Sequence, residues 1–283
     1  MNLDLNEKIK GCLIGYAIGD ALGKGTEFMT AREASARYPG GLRHYEKIIR
    51  DAHRSQWDRN DFTLDTEIIL RLVDCFTNAG EASPTEFAKA LIEWQERMPY
   101  ELDSHFLLII RQPDFATDPI GVSRRLAQSR GNNEARNEAL GRAMLIGTKK
   151  NDYQRKIIEN CRTTHYDSRC VSSAVVIGEM AHQLTWHDKT ADPESLIALA
   201  SEIDERTVPY ITAAHEGNLE DLQLDDRSSY WYARKTMSAA LWALWHTNSP
   251  EEALYALVDA GGDADTNASL ATGLMGLRHG YHT

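Results

Sequence analysis

The sequence predicts an all-α protein, and three observations carry that prediction. Apolar residues recur at three- and four-residue spacing through most of the chain, and capping signals repeatedly open such runs. No stretch alternates apolar and polar residues convincingly over four or more positions, and no repeat of fixed period is present. At 283 residues the chain is long enough to bury a sizeable core. We expect a single domain over residues 1–283, made of roughly ten to thirteen helices.

Composition narrows the function classes. With 42% hydrophobic and 26% charged residues the chain is of the soluble globular type. A formal charge of −11 argues against nucleic acid or an anionic membrane as the main partner. It leaves a nucleotide ligand open, because a bound divalent cation reverses the local sign. Cys12, Cys75, Cys161 and Cys170 show no C-x-x-C spacing, and Met1 to Lys10 does not resemble a signal peptide. We therefore expect reduced thiols and a cytoplasmic location. The longest weakly polar run, Gly11 to Gly23, contains Asp20 and is too short to span a bilayer, so no membrane partner is expected.

The first helix is expected over Lys8 to Leu22 and carries glycine at 11, 15, 19 and 23. Each glycine costs about 1 kcal/mol in a helix interior, so the series needs a reason. At this spacing the glycines form one bare stripe, along which a helix or a ligand can approach the backbone closely. Helix packing alone suffices for Gly11 and Gly15. Asp20 and Glu27, at and beyond the end of the stripe, are functional candidates, since an acid beside a glycine-walled surface is poorly placed for packing. Residues 29–59 read as a long loop with one short helix at Ala31 to Tyr38, and loops of that length are often functional.

Asn60 to Glu67 then leads into Ile68, Ile69, Leu72, Val73 and Phe76 on a helical period. Thr63 or Asp65 serves as an N-cap, with Glu67 favouring the dipole; the same residues also form an oxygen-rich cluster. Ser83-Pro84-Thr85-Glu86 is a capping box whose helix buries Phe87, Ala90, Leu91 and Trp94. Residues 111–131 are expected to be irregular, with a turn at Asp118 to Val122. Asn137 to Ala143 mixes loop and helix character. Helices follow at Asp152 to Arg162, Arg169 to Leu184, Pro193 to Glu202, Val208 to Glu216 and Arg234 to Trp245, with loops at Thr163 to Asp167 and Leu222 to Tyr232. Ser249-Pro250-Glu251-Glu252 is a complete capping box for Ala253 to Ala260, and Ser269 to Gly280 is helical.

The densest chemistry lies at Gly261-Gly262-Asp263-Ala264-Asp265-Thr266-Asn267. Two glycines break a helix, and two carboxylates, a hydroxyl and an amide follow within one turn. Hard oxygen donors in this density suit Mg²⁺ or Ca²⁺ better than zinc or copper. An EF-hand starting at Asp263 fails, because Ala268 and Leu274 stand where glycine and glutamate are required. An aspartate N-cap accounts for one of the two carboxylates and leaves the other unexplained.

These motifs together resemble the ADP-ribosylglycohydrolase family, over about Lys8 to Gly280. The family's G-x-x-x-G-D-A-x-G-x-x-x-E-F opening is carried by Gly15, Gly19, Asp20, Ala21, Gly23, Glu27 and Phe28. Its T-D-D-T segment is matched by Thr63-Leu64-Asp65-Thr66, and its terminal G-G-D-[TA]-D-T by Gly261 to Thr266. Its T-H-x-D-P-R turn is echoed by Thr164 to Arg169, and its A-A-L-W helix by Ala239 to Trp242. The resemblance implies a single orthogonally packed multi-helix domain. It also implies an Mg²⁺-dependent hydrolase, with two ions and Mn²⁺ as an alternative, that releases ADP-ribose from a modified protein side chain such as arginine or from a small ADP-ribosyl compound. A monomer is expected.

By the same resemblance Thr63, Asp65 and Asp265 hold one metal, and Asp263, Asp265 and Thr266 the other. Glu27, Asp65, Asp263 and Asp265 are the implied catalytic carboxylates. Asp20, Asn137, Arg142, His165 and Tyr232 line the substrate cleft, with Tyr232 stacking on adenine. Two positions depart from the family. Leu64 replaces the first aspartate of T-D-D-T, which makes a single ion an alternative to two; Glu138 replaces a glycine where pyrophosphate approaches backbone amides. These departures leave two other functions open: hydrolysis of another N-glycoside such as a nucleoside, or an ADP-ribose-binding relative with weakened catalysis.

Overall fold

The computed structural model describes residues 3–80, 82–97 and 104–281. In chain order its α-helices are α1 (Leu5–Gly23), α2 (Ala31–Arg37), α3 (Leu64–Ala79), α4 (Pro84–Glu96), α5 (Ser104–Ile110), α6 (Pro119–Ser129), α7 (Leu140–Gly147), α8 (Tyr153–Thr164), α9 (Ser168–His187), α10 (Pro193–Ser201), α11 (Val208–Glu216), α12 (Ala233–His246), α13 (Pro250–Ala260) and α14 (Ala264–His279). Four short 3₁₀ turns join them, and no strand forms among the described residues. The all-α expectation holds. No helix among the described residues is long and apolar enough to cross a membrane.

The centre of the fold is α14, buried along Ala264 to Leu277. A helix covered all round needs neighbours on every side; here they are α1, α7, α9, α12 and α13. The glycine stripe explains how α1 reaches it. A Cβ added at Gly11 would meet the backbone of Gly276 and Gly280, at Gly15 that of Thr272, at Gly19 that of Ala268, and at Gly23 that of Ala264 and Asp265. All four glycines therefore serve helix packing. Thr272 Oγ1 donates to Gly15 O at 2.6 Å across the seam.

The box expected at Ser83 forms in full and the one at Ser249 in part, since the Glu252 carboxylate accepts from Asn248 N and not from Ser249 N. Ser83 and Glu86 form a reciprocal box at α4, and Ser249 caps α13. Phe87, Leu91 and Trp94 are buried, whereas Ala90 is half-buried. The helix total exceeds the expected range for two reasons. Residues 111–118 are turns, as expected, but 119–129 are not irregular, because Asp118 and Pro119 start α6 rather than a turn. Asp118 accepts from Gly121 N at 3.0 Å, and Pro119 takes the first helical position, where its missing N–H is harmless. The short helix α5 lies where no element was expected.

Gly15→Ala tests the seam. The new Cβ would lie 2.5 Å from Thr272 O, so α1 must shift; overpacking of this kind costs about 1–3 kcal/mol, against the gain of about 1 kcal/mol from alanine's helix propensity. We expect a lower urea midpoint. A midpoint at or above the wild type would show that the helices do not meet this closely.

Candidate active site

The site forms where the two ends of the chain meet. Phe28 N donates to Gly262 O at 2.7 Å, and Gly262 N donates to Met29 O at 2.8 Å. This pair of bonds clamps the turn after α1 to the residues before α14. Gly261 and Gly262 sit at φ 70° and 73°, and a Cβ on either would strike the carbonyl of Met29 or of Leu224. Only glycine accommodates both demands. The clamp lays Glu27 beside Asp263 and Asp265, whose ligand atoms lie within 4.8 Å of one another.

Thr63, Asp65 and Thr266 complete the floor of a cavity of about 290 Å³, and Leu64 also lines it. Asp20 holds the α3 end of this floor from beneath. Its carboxylate accepts from Thr63 N at 2.9 Å, Thr66 N at 3.0 Å and Thr66 Oγ1 at 2.6 Å. It is fully buried and does not line the cavity, and its three bonds position the start of α3.

The capping alternatives now separate. Thr63 is the N-cap of α3, although its bond to Asp65 N is long at 3.4 Å. Asp263 occupies the N-cap position of α14 but makes no capping bond; its carboxylate accepts from Asn137 Nδ2 instead. Asp265 Oδ1 accepts from Thr266 N at 2.9 Å. Capping therefore does not explain Asp263.

The carboxylates oppose one another electrostatically. Burial and the charges of Asp20 and Asp263 hold Asp65 well above the usual carboxylate range. Burial and the charges of Glu27, Asp263, Asp65 and Asp20 do the same to Asp265. Burial pushes Asp263 up to about 6. The N-termini of α3 and α14 both reach this floor, and their partial positive charge offsets some of the repulsion.

Two buried atoms of the cavity wall, Asp65 Oδ2 and Asn137 Oδ1, lack a hydrogen-bond partner. A buried unsatisfied polar atom costs about 1–3 kcal/mol, so both atoms point to something bound. Carboxylates and threonine hydroxyls alone make up the donor set, which fits a hard divalent cation such as Mg²⁺ or Mn²⁺. Glu27 joins the donors that the sequence nominated.

The remaining wall is formed by Phe28, Arg136, Glu138 and Trp231. Glu138 is engaged by Arg136 Nε at 2.7 Å and His165 Nε2 at 2.9 Å. Thr164 Oγ1 accepts from Arg142 Nη2 at 2.6 Å and lies 2.7 Å from His165 Nδ1. The hydroxyl proton therefore points to Nδ1, and Nε2–H donates to Glu138. Burial pushes His165 down to about 4, so the ring is neutral at neutral pH and Arg136 supplies the charge facing Glu138. Burial opposes ionisation of Glu138, but His165 and Arg136 outweigh it and hold its carboxyl well below the usual range.

Of the expected cleft residues, Asn137 lines the cavity, whereas Arg142 and His165 lie behind its wall, buried. Tyr232 is engaged elsewhere, with the Arg234 guanidinium 4.6 Å and that of Arg169 5.8 Å from its ring centre, and it does not line the cavity. The aromatic rings on the rim are those of Trp231, which lies over Arg136 at 5.3 Å, and Phe28. The bulky exposed Trp231 in a polar loop was the available sequence signal. His53, whose Nε2 lies 2.6 Å from Glu27 Oε2, had none.

Buried carboxylates gathered at two helix N-termini, on an all-α scaffold, form a site suited to a hard cation or to developing positive charge. The ADP-ribosylglycohydrolase family model matches residues 1–283, and the chain belongs to that family; it is a glycosidic-bond hydrolase. It is 23% identical over 288 residues to the ADP-ribosylarginine hydrolase Tri1 of Serratia proteamaculans (strain 568), covering 97% of this chain and 72% of that protein. It is 24% identical over 284 residues to the ADP-ribosyl-dinitrogen reductase glycohydrolase of Rhodospirillum rubrum, covering 98% of this chain and 87% of that protein. A solved structure described as an ADP-ribosylglycohydrolase-related protein complex aligns with TM-score 0.66 at 22% identity, over 98% of this chain and 88% of that one. That likeness supports the all-α fold.

Asp263→Asn probes the repulsion. A carboxyl raised from 3.8 to about 6 on folding stabilises the folded state only while protonated, and that contribution disappears as pH rises from about 4 through 6. With a chelator present, the variant should gain stability over the wild type, on the order of 2–3 kcal/mol, at pH 8 and little at pH 4. Thermal denaturation at the two pH values measures this; equal shifts at both would contradict the assigned repulsion.

Proposed function

We propose that the protein is an Mg²⁺-dependent hydrolase that releases ADP-ribose from a modified protein side chain, arginine being the favoured acceptor. The observation that carries this reading is the cluster of Glu27, Asp263 and Asp265 in one cavity with the orphaned Asp65 Oδ2. The substrates named for the relatives supply its substrate class. Thr63, Asp65, Asp263, Asp265 and Thr266 would hold the cation, with Glu27 beside them. A bound cation would supply Lewis-acid polarisation; Mn²⁺ is the alternative ion. Leu64 in place of a carboxylate favours one tightly held ion over two.

Cleaving a glycosidic bond places positive charge on the ribose ring, and the four carboxylates face the place where that charge develops. One of Glu27, Asp65, Asp263 and Asp265 takes the proton of the attacking water. Asn137 orients Asp263, and the Trp231 and Phe28 rings offer faces for a planar part of the substrate.

A second reading, hydrolysis of an N-glycoside without pyrophosphate, is favoured by Glu138 in the cavity wall. Its engagement by Arg136 and His165 weakens that argument. Calorimetry with ADP-ribose and with a nucleoside separates the two readings.

With Mg²⁺ and arginine-ADP-ribosylated protein, we expect release of ADP-ribose that a chelator abolishes. Asp263→Ala should lower kcat/KM by roughly 10²–10⁴-fold, and Leu64→Asp should tighten Mg²⁺ binding. No release by the wild type, with release gained in Leu64→Asp, would overturn the reading and mark the chain as a catalytically weakened binding relative.

A further inference from the structure

Glu27 differs from the other carboxylates of the site. Asp65 and Asp265 stand in the first turns of α3 and α14, and Asp263 is the residue immediately before α14, so regular backbone aims all three. Glu27 rises from a turn, on a longer side chain, and the next residue, Phe28, is held at φ 62°. Left to itself, a flexible carboxylate facing Asp263 and Asp265 would swing away, because like charges repel.

The structure supplies a restraint from residues 51–57, in the long loop where the sequence nominated no individual residue. Arg54 is buried; its Nε donates to Gly25 O at 2.9 Å, its Nη2 donates to Glu27 O, and Asp51 pairs with Nη1. The preceding residue, His53, reaches the side chain of the same glutamate, with Nε2 2.6 Å from Glu27 Oε2. The His53 ring is itself seated between Phe28, at 5.1 Å between centroids, and Trp57, at 5.3 Å. Two consecutive residues therefore hold the backbone and the carboxylate of Glu27 at once.

We propose that His53 is a positioning residue of the reaction: it donates from Nε2 to one oxygen of Glu27 and keeps that carboxylate in the donor cluster against the repulsion of Asp263 and Asp265. The proposal deepens the cation-dependent reading above and rests on it. Partners of this kind, one shell out from a cation's ligands, fix ligand orientation, and their loss weakens cation binding about 10- to 100-fold.

The test uses chelator-stripped full-length protein as wild type, His53→Phe, His53→Gln and His53→Ala. Phenylalanine keeps the ring between Phe28 and Trp57 and removes the donor. Glutamine restores a donor at comparable reach. Calorimetric titration with Mg²⁺ gives the affinity, and steady-state release of ADP-ribose gives kcat and KM separately. We expect His53→Phe and His53→Ala to bind Mg²⁺ about 10- to 100-fold more weakly and to lose kcat with little change in KM, while His53→Gln recovers most of both. Melting temperatures identify any variant that fails to fold, and His53→Phe still decides the matter if His53→Ala does. Wild-type affinity and kcat in His53→Phe would overturn the proposal, as would equal loss in His53→Phe and His53→Gln. A wild type that binds no Mg²⁺ would instead overturn the cation-dependent reading, and this proposal with it.

Discussion

The close approach of α1 to α14 is the contact on which the rest of the structure depends. Four glycines on α1 present bare backbone to a helix that is itself buried on every side. A side chain at any of the four would hold the helices apart, and the turn after α1 would leave the start of α14. That turn carries Glu27, and the start of α14 carries Asp263 and Asp265. A packing decision made along the length of two helices therefore sets the spacing of three carboxylates at one end of them.

The site gathers negative charge that the fold does not welcome. Asp65, Asp263 and Asp265 are buried and raised above the usual carboxylate range, chiefly by burial. The cost of such an arrangement is partly offset locally. Asp20 receives three hydrogen bonds, Asp263 receives Asn137, and two helix N-termini face the cluster. The carboxylates are thus held close together by well-bonded neighbours, in the manner of a site prepared for positive charge, whether a cation or a developing oxocarbenium ion. The upper wall follows the opposite logic: Arg136 and a neutral His165 tie up Glu138, so its charge is answered before a ligand arrives.

Much of the floor is legible in the sequence. Asp263 and Asp265 stand out because two carboxylates on one turn exceed what capping needs, and Asp65 because it opens a helix beside threonines. The wall is less legible. Tyr232 and Trp231 are adjacent, and only the path of the loop decides which ring faces the cavity; Arg169 and Arg234 claim Tyr232. Asp20 carries the right chemistry but lies beneath the floor, where its carboxylate anchors Thr63 and Thr66 at the start of α3. The helix at residues 119–129 is obscured because an Asp-Pro pair opens turns and helices alike, and only the packing of the residues beyond Pro119 chooses between them.

The sequence by itself determined the helical architecture, the capped starts of α3, α4 and α13, and the identity of the oxygen donors. Helical period, capping chemistry and carboxylate density are local properties, written within a few residues of one another. Only the tertiary structure decided which residues share the cavity. Glu27, Asp65 and Asp263 are far apart along the chain, and they meet through a backbone clamp at Gly262 and a glycine seam. His53 reaches Glu27 through the path of an irregular loop, whose course depends on contacts with distant residues and leaves no local periodic trace.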